Sequence, residues 1–169
     1  MKVYIKNRQR RIKVNQKRII SHIGKALHLL GLHKAEVSIL LVNDRKMKEL
    51  NLRYRGLDKT TDVLSFPMIN KKWEMKSKKL NRDKNMAKLF LTSHFTPPTS
   101  HLLLGDIVIN LHKAKRQAVE RDLTFNEELS WLLIHGLLHL TGYNHDKSKY
   151  LRNKMEGKEK ELFDVLTAP

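Results

Sequence analysis

Residues 124–145 read TFNEELSWLLIHGLLHLTGYNH, and the rest of the chain must be built around this stretch. Thr124 followed three residues later by Glu127 is a capping-box pattern, in which a hydroxyl and a carboxylate take up amide donors that a helix start leaves unpaired. The spacing predicts a helix from Phe125 to about Thr141. At 100° per residue, Leu129, Leu132, Leu133, Gly136, Leu137 and Leu140 share one face, while Trp131, Ile134 and Leu138 lie opposite. A helix that wants burial on both faces belongs at the centre of a domain. Its apolar run, residues 129–140, is too short to span a bilayer and contains two histidines, so a transmembrane helix is not expected.

Within this helix His135 and His139 are four residues apart, which puts both imidazoles on one flank. Gly142 is placed to end the helix with a positive φ, after which the chain can turn and return His145 to the same point. A histidine pair in a chain with nine histidines reads as packing, but a third histidine behind a glycine turn reads as a ligand set. The chain has no cysteine, so any metal must be held by histidine and carboxylate. Three imidazoles on one Zn²⁺ leave a fourth position for water, an open site that acidifies water or polarises a carbonyl or phosphoryl oxygen. His22, His28, His33, His94, His101 and His112 show no comparable spacing and read as packing or surface residues.

Outward from the helix, element types alternate. Val3 and Ile5 have the period of an edge strand, and Asn15 caps a helix that runs to about Leu30 and stops at Gly31. Residues 37–42 form a continuous buried-strand pattern, and Asn43-Asp44 then cap a helix reaching Tyr54. Short strands follow at residues 63–66 and 104–109, and a last amphipathic helix covers residues 149–166. Between the two short strands, residues 70–101 are lysine-rich and then broken by Pro97-Pro98, as in a basic insertion or lid. With 169 residues the expectation is one domain, 1–169.

Lys and Arg number 34 against 17 Asp and Glu, a formal charge of +17 that points to a polyanionic partner. The charge is concentrated: residues 1–18 hold eight Lys/Arg and no acid, and residues 71–88 hold eight against Glu74 and Asp83. The basic start lacks the apolar run of a secretory signal, so a soluble, cytoplasmic protein is expected.

The histidine spacing is similar to that of metzincin proteases, but Gly136 stands where those enzymes carry a glutamate base, which removes the proton acceptor a protease needs. The stretch 135–145 instead resembles the signature of the YbeY family of endoribonucleases, His-Gly-x-Leu-His-Leu-x-Gly-Tyr-Asp-His, with Asn144 where the family usually has Asp. Two further blocks are similar to the same family: residues 51–67, NLRYRGLDKTTDVLSFP, and residues 104–109, LGDIVI. Residues 70–101 depart from it, being longer and more basic than the expected linker.

The resemblance implies an α/β (α+β) single domain with an about four-stranded, mostly antiparallel or mixed sheet. Its helices lie on one side, packed around a central metal-bearing helix, with a metal cleft between helix and sheet. It implies a zinc-dependent endoribonuclease of rRNA processing, with maturation of the 3′ end of 16S rRNA and ribosome quality control as its tasks. His135, His139 and His145 would hold one Zn²⁺, and Arg55 would contact substrate, clamping a phosphate by two parallel hydrogen bonds. Single-stranded RNA, rRNA in particular, is the implied substrate, with the small ribosomal subunit and its assembly factors as partners and neither membrane nor DNA expected. Trp73 and Phe90, in or beside the basic insertion, would stack on bases or tether the insertion to the core. The general base is left open: Asp62 and Asp106 lie in the matching blocks, but each reads first as an Asp closing a loop, and Ser65 reads as a residue for substrate or backbone contact or simply as a strand terminator, not as a nucleophile. Two other function classes remain in view, an RNA-binding assembly factor with a structural zinc and a small-molecule metal hydrolase.

Overall fold

Alternating burial along residues 35–42 gives one strand two different apolar faces, and this organises the molecule. The computed structural model describes residues 1–68, 102–145 and 148–167. Strand β1 (Lys2–Asn7) pairs in parallel with β2 (Ala35–Val42), and β2 pairs in parallel with β4 (Leu102–Asn110). Strand β3 (Val63–Pro67) lies antiparallel on the outer edge of β4, so the sheet order is β1-β2-β4-β3. Residues 69–101, including the expected basic insertion with Trp73 and Phe90, lie outside the described residues.

Helix α1 (Gln16–Leu29) begins where the Asn15 side chain accepts from the Arg18 amide, and the chain turns at Gly31 with φ +72°. Asn43 caps α2 (Asp44–Arg55) in the same way through the Lys46 amide, and Gly56 closes it with φ +70°. Helix α3 (Leu111–Glu120) follows β4 directly, with Asn110 as cap. Helix α4 (Phe125–Leu140) opens on the expected capping box of Thr124 and Glu127, and α5 (Lys149–Thr167) closes the fold.

Two clusters fill the two faces of the sheet. On one, Val37, Ile39, Leu41, Ile107 and Ile109 pack against Ile23 and Leu27 of α1, Leu133 and Leu137 of α4, and Leu162 of α5. On the other, Val42, Leu64 and Val108 pack against Met47 and Leu50 of α2. The mixed sheet is as the resemblance implies, but its mostly antiparallel form is not what folds. The helical crossover α1 returns the chain to the end where β1 began, which makes β1 and β2 parallel. The helices are also not all on one side, because β2 is apolar on both faces and α2 covers the second.

Helix α4 is buried nearly all round, as its two apolar faces require. It lies close against the sheet: a Cβ added at Gly136 would sit 2.8 Å from Ile107 Cγ2 and 3.3 Å from Ser65 Oγ. Ser65 Oγ donates to the Gly136 carbonyl at 3.2 Å, so β3 is fastened to the helix at the position where a metzincin would need a glutamate. Helix α3 has no counterpart in the sequence reading. Its buried stripe of Leu111, Ala114 and Ala118 is small, and no turn separates it from β4.

Candidate metal centre

Gly142 adopts φ +93°, its amide donates to the His139 carbonyl at 3.1 Å, and the Tyr143 amide donates to Leu138 at 3.0 Å. This turn carries His145 back beside the two helical histidines. Nε2 of His135 and Nε2 of His139 are 3.0 Å apart, within the roughly 4 Å that two zinc–nitrogen bonds span. One ligand atom from each of His135, His139 and His145 lies within 4.8 Å of the others.

The far nitrogens are held as well. His135 Nδ1 is 2.6 Å from Oε1 of Glu159, a carboxylate on α5 that is only 5% exposed. His139 Nδ1 is 3.1 Å from the Tyr143 carbonyl, which can only accept, so this nitrogen carries the proton and Nε2 presents its lone pair. An acceptor behind an imidazole is the arrangement that orients it for a cation, and three neutral nitrogen donors suit zinc.

Beside the histidines is a cleft of about 510 Å³ lined by Asp62, Arg121, Trp131, His135, His145 and Arg152 among others. It lies between α4, α5 and the start of β3. Arg121 is anchored there by Glu128, whose two carboxylate oxygens each accept from Nη1 at 3.1 Å. Burial pushes the Glu128 carboxyl up, and the Arg121 charge and hydrogen bonds oppose that shift. Asp62 accepts from Gln117 Nε2, Thr61 Oγ1 and the Val63 amide. Burial would raise its carboxyl, but these bonds and the Lys113 charge outweigh burial and leave it below the ordinary carboxylate range. Asp62 is therefore a loop-closing acceptor, as its sequence context indicates. Asp106 alternates with Ile107 onto the α2 face of the sheet, away from the histidines.

Of the residues singled out in the sequence, the three histidines come together. Arg55 is exposed at the end of α2 and is not among the residues lining the cleft. His22 packs in the core with Nδ1 2.9 Å from Ser130 Oγ, a structural role. Glu159 is the residue the sequence reading missed. Its signal is a lone acid within the apolar stripe Met155, Leu162, Leu166 of α5.

The family profile described as Endoribonuclease YbeY matches residues 4–167. The chain is 34% identical over 178 residues to the endoribonuclease YbeY of Thermodesulfovibrio yellowstonii, covering 97% of this chain and 96% of that one. It is 35% identical over 170 residues to that of Clostridium beijerinckii, again covering 97% and 96%. The solution structure of the Thermotoga maritima protein TM1509 superposes with a TM-score of 0.59 over 97% of this chain and 88% of that one, at 23% identity, a likeness of fold.

Proposed function

The chain belongs to the endoribonuclease YbeY family, and on that premise we propose how it acts and on what. It is an RNA-cleaving hydrolase of rRNA processing. Its substrate is single-stranded rRNA, cut to mature the 3′ end of 16S rRNA on or near the small ribosomal subunit in the cytoplasm. No described helix is long and apolar enough to cross a membrane, which fits that setting.

His135, His139 and His145 hold one zinc ion, and the observation that carries this is the convergence of their ligand atoms while two of the far nitrogens are anchored. When bound, zinc supplies Lewis acidity towards a phosphoryl oxygen and a nucleophile at neutral pH. Glu159 and the Tyr143 carbonyl keep their imidazoles aimed, Arg152 places a positive charge in the cleft, and Arg55 clamps a phosphate of the RNA backbone. Residues 1–169 act as one domain, with residues 70–101 as a basic insertion that extends the reach for RNA.

The test is cleavage of an end-labelled RNA spanning the immature 3′ end of small-subunit rRNA, by the zinc-loaded protein and by an equally folded His139→Ala variant. Cleavage lost in the variant alone supports the reading. No cleavage by either protein, with small subunits present, overturns it in favour of an assembly factor.

A further inference from the structure

The charge concentrated in residues 1–18 is not used by the histidine cleft, since none of those residues lines it. Arg8, Arg10 and Arg11 instead line a second cavity of about 450 Å³, together with Gln9, Asn43 and His112. It lies beyond the C-terminal ends of the three parallel strands: Arg8 follows β1, Asn43 follows β2, and His112 stands two residues past β4. Sheets of this kind bind ligands at that end.

The arginine loop is a built structure. Gln9 is 6% exposed, and its side-chain amide donates to Asn7 Oδ1 at 3.1 Å and to the Ile12 carbonyl at 2.8 Å while accepting from the Ile12 amide at 2.8 Å. The Arg8 amide donates to the Leu41 carbonyl at 2.8 Å, which fixes the loop to β2. With Gln9 turned inward the three arginines are exposed, and none of them is paired with a carboxylate among the described residues. His112 also lines the cavity, with Nδ1 3.8 Å from Asp44 Oδ2. The adjacent carboxylate, Asp44, is already taken by two bonds from Arg116 at 2.8 and 2.9 Å. Three guanidinium groups that line one cavity, with no carboxylate partner among the described residues, have the chemistry of a phosphate site.

Helix α3 connects this cavity to the cleft: His112 is at its start, and Arg121, just past its end, lines the cleft. At 1.5 Å per residue the two residues are about 14 Å apart along the helix, a span that a few nucleotides of extended strand cover. We infer that the Arg8–Arg10–Arg11 cavity is a phosphate subsite that grips the RNA backbone a few nucleotides from the bond cleaved. The inference rests on the RNA-cleavage reading above.

The experiment compares the wild-type chain with two triple variants, Arg8→Gln/Arg10→Gln/Arg11→Gln and the charge-matched Lys13→Gln/Lys17→Gln/Arg18→Gln. Fluorescence anisotropy follows binding of a long single-stranded RNA against salt, and cleavage is compared between that RNA and one trimmed to a few nucleotides. Loss of the arginines should make the log–log salt slope shallower by about 0.7 for each phosphate contact removed, up to about 2 in all, uniformly across RNA sequences. It should also bring the kcat/KM preference for long over trimmed RNA several-fold closer to parity. The charge-matched triple should keep the wild-type slope. Equal slopes in the two triples, or a slope unchanged by loss of the arginines, overturn the subsite. Arg11→Gln alone, which should remove one share of the slope, gives the same reading if the triple unfolds. Anisotropy needs no turnover, so an RNA that is bound but uncut sinks the cleavage reading while the slope still decides the subsite.

Discussion

Oε1 of Glu159 stands 2.6 Å from Nδ1 of His135, joining α5 to α4 across 24 residues of sequence. The contact makes the closing helix part of the candidate metal centre: it sets the direction in which the first histidine of the motif presents Nε2. Glu159 thus orients this imidazole from an element outside the histidine motif.

Removing that carboxylate should weaken metal binding without unfolding the protein. Glu159→Ala is expected to lower zinc affinity about 10- to 100-fold, with Glu159→Gln falling between it and the wild type because an acceptor oxygen remains. Competition with a chromophoric chelator reads this directly. Equal affinities in all three proteins would reduce the contact to packing.

Gly136 is required by the approach of α4 to the sheet. Alanine has the better helix propensity by about 1 kcal/mol, but its Cβ would meet Ile107 Cγ2 at 2.8 Å. The steric term should win, and Gly136→Ala is expected to destabilise by about 1–3 kcal/mol in denaturant unfolding. A stabilised variant would mean that the helix can back away from β4.

Arg55 contacts phosphate in the proposed function through a planar fork that lysine lacks. Arg55→Lys should therefore lower cleavage about tenfold or more, as expected for loss of a charge-assisted bidentate contact, while leaving the zinc content at the wild-type level. Wild-type cleavage by the lysine variant would return Arg55 to the ordinary surface.

The Arg116 guanidinium bonded to Asp44 holds that carboxyl down at about 2, from an ordinary value of 3.8. A depressed acid stabilises the fold above its unfolded pKa, and that contribution is lost as pH falls through the folded one. Asp44→Asn should therefore be less stable than the wild type at pH 6, by about 1 kcal/mol once the exposure of the pair is discounted. The difference should shrink below about pH 4 and disappear only below pH 2, once the folded carboxyl is itself protonated. A gap that does not narrow between pH 4 and pH 2 would point to packing rather than charge.

Much of this architecture is legible in the sequence because its signals are local. Asn15, Asn43 and Thr124 each sit where a helix starts, and His135, His139, Gly142 and His145 encode the ligand set within eleven residues. What escapes the sequence is set by tertiary context. Leu111, Ala114 and Ala118 bury too little to stand out as a helix, and the parallel pairing of β1 with β2 follows from where α1 crosses. Glu159 escapes because an acid in an amphipathic helix reads as surface until α5 docks on α4. Likewise, the basic start of the chain shows its amount of charge, whereas the grouping of three arginines follows from the inward turn of Gln9 and from the bond of the Arg8 amide to Leu41 of β2.

The central claim is that His135, His139 and His145 together hold one metal ion, and zinc content after purification and exhaustive dialysis tests it most directly. The wild-type chain should retain about one zinc per molecule, and His135→Ala, His139→Ala and His145→Ala should each lose most of it while keeping the wild-type circular dichroism spectrum. Folded variants that all retain stoichiometric zinc would contradict the account.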